Sequence, residues 1–221
     1  MAQYQPQGFS LLPPAVKHLL IINVLVFGAD YALPLQHIVG AKDQDVGADY
    51  VLQRQGIYLG NILALFSLQS GNFQVWQPLS YMFMHANLSH IFFNMFNLWM
   101  FGAAMENFWG TKRFLIYYLA CGIGAGLLYM LLPGLHITVG ASAAVYGLLL
   151  AFGMTFPNEY IYLYFLMPIK TKWFVTGMIV IELLQGIFYS YDGVAHFAHL
   201  GGMLIGFLLI MWWRKHPFSR F

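Results

Sequence analysis

Long apolar stretches separated by short polar ones dominate the chain. A membrane-crossing helix needs about 20 predominantly apolar residues. Six stretches meet or approach that length, at about residues 17–36, 79–102, 112–132, 141–156, 172–189 and 194–213. The fourth is the shortest, about 24 Å at 1.5 Å per residue, against a hydrocarbon core of about 30 Å. Its start is expected to lie below the membrane surface. The mixed stretch 37–77 forms a long first loop. Its apolar piece, 57–68, is too short to span and is expected at the interface or packed on the bundle. The first apolar run is too long for a signal-peptide core and no basic segment precedes it, so it reads as a retained span. The pattern predicts an all-α membrane protein, a six-helix bundle in one domain covering residues 1–221.

Composition agrees. Of 221 residues, 60% are hydrophobic and only 8% charged, about a third of the charge density of a typical soluble domain. The net charge of +2 gives no electrostatic case for nucleic acid. Cys121 is the only cysteine, so an intrachain disulfide is excluded. The few charges orient the bundle. Lys17, Lys112, Arg113, Lys170, Lys172, Arg214, Lys215 and Arg220 fall on one side, eight of the 10 basic residues. Lys42 and Arg54 fall on the other, with Asp43, Asp45, Asp49 and Asp192. The positive-inside rule then puts both termini in the cytoplasm, which requires an even number of spans.

Polar residues inside spans are costly and mark functional sites by default. His85, His90, Asn94 and Asn97 lie in the second stretch, Ser142 and Tyr146 in the fourth, Glu182 in the fifth, His196 and His199 in the sixth. The second, fourth and sixth spans all enter from outside. Their early turns therefore bring His85, His90, Asn94, Ser142, Tyr146, His196 and His199 to one depth in the outer half of the bilayer. Spacings of i, i+4 put His90 with Asn94, and Ser142 with Tyr146, on shared faces. Gly202 and Gly206 lie on the His199 stripe and permit close approach of the serine-bearing helix.

The chemistry follows. A serine hydroxyl becomes a useful nucleophile when a base takes its proton, and histidine has the unperturbed pKa for that task. No acidic residue falls near His199 in the expected outer half except Asp192 in a loop, so a Ser142–His199 dyad is expected. Tyr146 is a candidate to orient or stack on the imidazole. His90, the Asn94 amide and the Ser142 N–H are candidate oxyanion donors. Glu182 and Asn97 are expected to hydrogen-bond between helices, and His196 has no assigned role.

At these residues the chain resembles the rhomboid intramembrane serine proteases, over about residues 76–207. His85-Ala-Asn-Leu-Ser-His90-Ile-Phe-Phe-Asn94 is similar to the family's H-x-x-x-x-H-x-x-x-N pattern. Gly140-Ala-Ser142-Ala-Ala-Val-Tyr146 resembles its G-x-S-G motif, and Ala198-His199-Leu-Gly201-Gly202-Met-Leu-Ile-Gly206 its A-H-x-G-G-x-x-x-G motif. Glu106 and Gly110 resemble its E-x-x-x-G. The resemblance implies a six-span bacterial-type core with Ser142 as nucleophile and His199 as general base. It puts His90 and Asn94 at the oxyanion site, Tyr146 in support of His199, and His85 and Glu106 in structural roles. It also implies transmembrane protein substrates within the lipid bilayer, no cofactor and no metal, and an inner-membrane location with the active site open to the extracytoplasmic side. Two departures stand out. Ala143 replaces the glycine after the serine, and Trp76-Gln77 stands where many members have Trp-Arg.

Two other classes compete. A rhomboid-like binding or quality-control protein without catalysis would lack the serine or the histidine, and both are present. A metal or haem protein could use His85, His90, His196 and His199, although no H-E-x-x-H occurs.

Overall fold

The computed structural model describes residues 9–32, 59–132, 137–163, 167–188 and 195–216. The expectations placed on Lys42, Arg54, Asp192, Arg220 and most of the first loop lie outside the described residues. Helix α1 spans Pro14–Ala32. A short helix α2, Leu59–Leu63, leads to strand β1, Leu65–Phe66, and then to α3, Gln77–Ser80. Helix α4, Leu88–Asn97, continues through a π-turn at Leu98–Gly102 into α5, Ala103–Trp109. Helix α6 spans Thr111–Tyr129. Strand β2, Ile137–Thr138, pairs antiparallel with β1 and leads into α7, Ser142–Thr155. A hairpin of β3, Tyr160–Leu163, and β4, Met167–Lys170, connects to α8, Thr171–Phe188. Helix α9 is His196–Lys215.

Five of the six apolar stretches become helices within a few residues of their expected bounds. The second is shifted. Its helix runs from Leu88 to Trp109 and not over 79–102. Tyr81–Phe83 closes a 3-10 turn, and Asn87 then caps a new helix by accepting the His90 N–H at 2.8 Å. Asn87 is extended and oriented as a cap, so the helix starts at a polar signal inside an apolar run. Among the described residues, α1, α8 and α9 are long and apolar enough to cross a membrane.

Helices α6, α7 and α9 form the core of the bundle. Helix α7 is almost wholly enclosed; nine of its residues are buried. At 14 residues it is about 21 Å long. Backbones meet where the glycines lie. A Cβ at Gly202 of α9 would overlap the Ala143 carbonyl oxygen of α7, and one at Gly206 would overlap the Tyr117 hydroxyl of α6. Tyr117 uses that hydroxyl to donate to the Gly147 carbonyl at 2.8 Å, joining α6 to α7.

The end of the bundle away from Ser142 is closed by Glu106. Its two oxygens accept the Ala15 and Val16 N–H groups at 2.9 and 2.8 Å, and one also accepts the Thr111 hydroxyl. The first N–H groups of a helix have no carbonyl partner within it, and an anionic side chain there also opposes the positive end of the helix dipole. Glu106 therefore docks α1 on α5. Phe108 meets Phe156, just beyond the last turn of α7, which places this glutamate at the far end from Ser142.

Gln77, the departure in the first loop, is fully buried. Its side-chain oxygen accepts the Phe66 and Gln74 N–H groups, and its amide donates to the Asn72 carbonyl. A neutral side chain that both donates and accepts ties the turn between β1 and α3.

Candidate active site

Strand β2 delivers the chain to a turn at Gly140, which adopts φ +126°. That backbone favours glycine. A Cβ there would also press on the His90 ring, 2.8 Å from Nε2. The Gly140 N–H donates to the Tyr81 carbonyl at 2.9 Å, fixing the turn against the segment before α4. Ser142 follows as the first residue of α7 and is half-buried.

The Ser142 Oγ lies 2.8 Å from His199 Nε2. The other ring nitrogen, Nδ1, lies 2.9 Å from Glu182 Oε2. A carboxylate accepts only, so Nδ1 carries the hydrogen and Nε2 offers its lone pair to the serine hydroxyl. The Tyr146 ring stacks on the His199 ring, with centroids 4.4 Å apart and planes 14° apart. Its hydroxyl donates to Glu182 Oε1. His196 Nδ1 donates to Glu182 Oε2 at 2.8 Å.

This arrangement corrects the expectation that no carboxylate stands near His199. Glu182 is buried, one helix away, and three side chains from α7 and α9 converge on it. The expectation went wrong on cost. A buried carboxylate is expensive when unpaired, but here both oxygens accept charge-assisted hydrogen bonds. Glu182 does bridge helices as expected, and in doing so it reaches the candidate base. His196, without a role in the sequence, shares the same oxygen. The signal that could have found both was in view: Glu182 and Asp30 are the acidic residues within predicted spans, and Asp30 lies near the end of the first.

His90 points at the turn before Ser142. Its Nδ1 accepts the Ala86 N–H at 3.3 Å, which leaves Nε2–H facing Gly140. Asn94 is buried, and its amide donates to the His90 carbonyl at 2.9 Å, one turn back on its own helix. The other amide hydrogen is the one left to serve an oxyanion. Asn97 likewise donates within its helix, to Phe93, and among the described residues not between helices. His85 is buried with its ring edge against His90 at 5.1 Å. The four histidines of the metal reading thus separate into His85–His90 and His196–His199 pairs. Among the described residues the group able to hold a metal ion is Glu182, His196 and His199, whose candidate ligand atoms lie within 4.8 Å.

The arrangement can do acyl-transfer chemistry: a hydroxyl bonded to a neutral imidazole nitrogen, and an imidazole N–H aimed beside that hydroxyl.

Comparison with known proteins agrees on the family. Residues 72–216 match the model of the rhomboid domain. The chain is 26% identical over 208 residues to "Putative rhomboid protease YdcA" of Bacillus subtilis, covering 92% of each chain. It is 32% identical over 193 residues to "Rhomboid-like protein 11, chloroplastic" of Arabidopsis thaliana, covering 77% of this chain and 61% of that one. It is 28% identical over 152 residues to "Rhomboid-like protease 3" of Toxoplasma gondii, covering 69% of this chain and 57% of that one. The chain thus spans about three-fifths of the length of the plant and Toxoplasma relatives. With a matched domain that includes every residue of the Ser142 site, the chain belongs to the rhomboid family of membrane proteins.

Proposed function

We propose that this chain is an intramembrane serine endopeptidase that hydrolyses peptide bonds in or near transmembrane segments of membrane proteins. The 2.8 Å contact between Ser142 Oγ and His199 Nε2 carries the reading. Ser142 attacks the scissile carbonyl carbon while its proton passes to Nε2. The resulting oxyanion is held by the His90 Nε2–H, the Ser142 N–H at the start of α7, and the free Asn94 amide hydrogen. The tetrahedral intermediate expels the amine, which takes the proton from Nε2. Water, activated by the same nitrogen, then hydrolyses the acyl-enzyme. Tyr146 keeps the imidazole in plane by stacking.

Six spans, cytoplasmic termini, an inner-membrane location and a site open to the extracytoplasmic side complete the reading. The charge distribution supports that topology, and the short α7 supports a recessed serine. No metal or cofactor takes part in this scheme.

Ser142→Ala should abolish cleavage of a reconstituted single-span substrate and labelling by a fluorophosphonate, with folding preserved. Wild-type cleavage should survive a chelator. A Ser142→Ala protein that still cleaves would falsify the mechanism. A folded wild type that neither cleaves nor labels would favour the non-catalytic, quality-control reading.

A further inference from the structure

The carboxylate against His199 calls for a role beyond a two-residue mechanism. On α8, Thr171, Val175, Glu182 and Gly186 are the buried residues. Their spacings of 4, 7 and 4 form one stripe facing the bundle. At Gly186 the helix comes close to α9: a Cβ there would lie 3.2 Å from the Phe197 ring and 3.4 Å from His196 Cβ. That approach, one turn beyond Glu182, lets a glutamate side chain reach the His199 ring. The carboxyl group is then fixed from two helices. Tyr146 on α7 holds Oε1, and His196 on α9 holds Oε2 together with His199. Few rotamers satisfy three donors at once, so the carboxylate is preorganised.

Resting on the serine-protease reading, we propose that Glu182 is a positioning residue that completes a Ser142–His199–Glu182 triad. It does not touch the substrate. By accepting from Nδ1–H it holds His199 in the tautomer whose Nε2 can take the serine proton. When that proton arrives, Glu182 faces the new imidazolium and stabilises it. No proton moves to the carboxylate. Nδ1 keeps its hydrogen throughout, and the serine proton goes from Oγ to Nε2 and then to the leaving amine. Tyr146 and His196 are the supports that aim the carboxylate.

The test compares wild type, Ser142→Ala and Glu182→Gln, full-length and reconstituted, on one single-span substrate. Glutamine retains the shape but carries no charge and can present a donor to Nδ1. Expected for Glu182→Gln is a kcat lower by about 100- to 10,000-fold, by analogy with loss of the acid in other triads, with KM near wild type. Glu182→Asp should recover part of kcat. If Glu182→Gln folds and cleaves with wild-type kcat while Ser142→Ala is dead, the triad is overturned and the serine mechanism stands. If Ser142→Ala cleaves, the underlying reading fails instead. Should Glu182→Gln not fold, the unsubstituted protein still decides. A carboxylate-bonded His199 Nδ1–H gives a far-downfield proton resonance that disappears in His199→Gln. Its absence from wild type overturns the proposal.

Discussion

Glu106 and Glu182 are the same residue type, with nearly the same exposure, 2% and 3%, at separate places in one bundle. Their partners differ in kind. Glu106 accepts from two backbone N–H groups and the Thr111 hydroxyl. None of those donors changes charge in the working pH range. Glu182 accepts from two imidazole N–H groups and a phenol. Imidazole does change charge there. A carboxylate facing fixed dipoles can hold helices together and do nothing else. One facing an ionisable ring can also set how readily that ring takes a proton. Burial alone does not separate a structural acid from a catalytic one; the chemistry of the donors does.

Substitution should split the pair by activity. The largest effect belongs to Glu182→Gln: the 100- to 10,000-fold fall in kcat stated above should be read per folded molecule, because loss of the charged acceptor also lowers stability by about 2 kcal/mol. Next, Glu106→Gln should leave kcat per folded molecule unchanged. It should lower stability by about 2 kcal/mol, because a neutral amide oxygen replaces a charged acceptor and one buried N–H loses its partner. Denaturant titration in mixed micelles reads that loss. If Glu106→Gln instead reduces kcat in the folded protein, the contrast between the two acids breaks. Third, Tyr146→Phe keeps the stacked ring and removes the hydroxyl from Glu182. Steady-state cleavage should fall about 2- to 10-fold, the value of one hydrogen bond. The smallest effect is Thr111→Val, which takes one donor from Glu106. It should cost about 1 kcal/mol in the same titration and nothing in kcat.

The sequence carried Ser142, His199, Tyr146 and His90 because each sits in the first turns of a helix. For such residues i, i+4 spacing and depth can be read directly from the run of apolar residues. Glu182 lies far into α8, counted from the other end, so its depth depended on knowing how the helices dock. The contact with His199 also depends on Gly186, whose importance is the neighbour it lacks a side chain to exclude. The break before α4 was hidden for another reason. Apolar residues continue on both sides of 84–87, and average hydropathy outweighed Asn87, the local capping signal. The i, i+4 spacing puts His90 and Asn94 on one helix face, but spacing cannot reveal that the Asn94 amide returns to the His90 carbonyl. Gln77 shows the reverse case. It stands where many members have an arginine, yet its three hydrogen bonds hold the turn without a charge.

The close approach at Gly202 inverts the usual scale of severity for amino-acid changes. Glycine to alanine adds one methyl group and normally ranks among the mildest exchanges. At position 202 that methyl would land on the Ala143 carbonyl oxygen, a backbone atom that cannot rotate aside. The two helices it would wedge apart are those that carry Ser142 and His199. On this chain, a ranking of variants by chemical similarity would misplace the most conservative substitution available at one of its least tolerant sites.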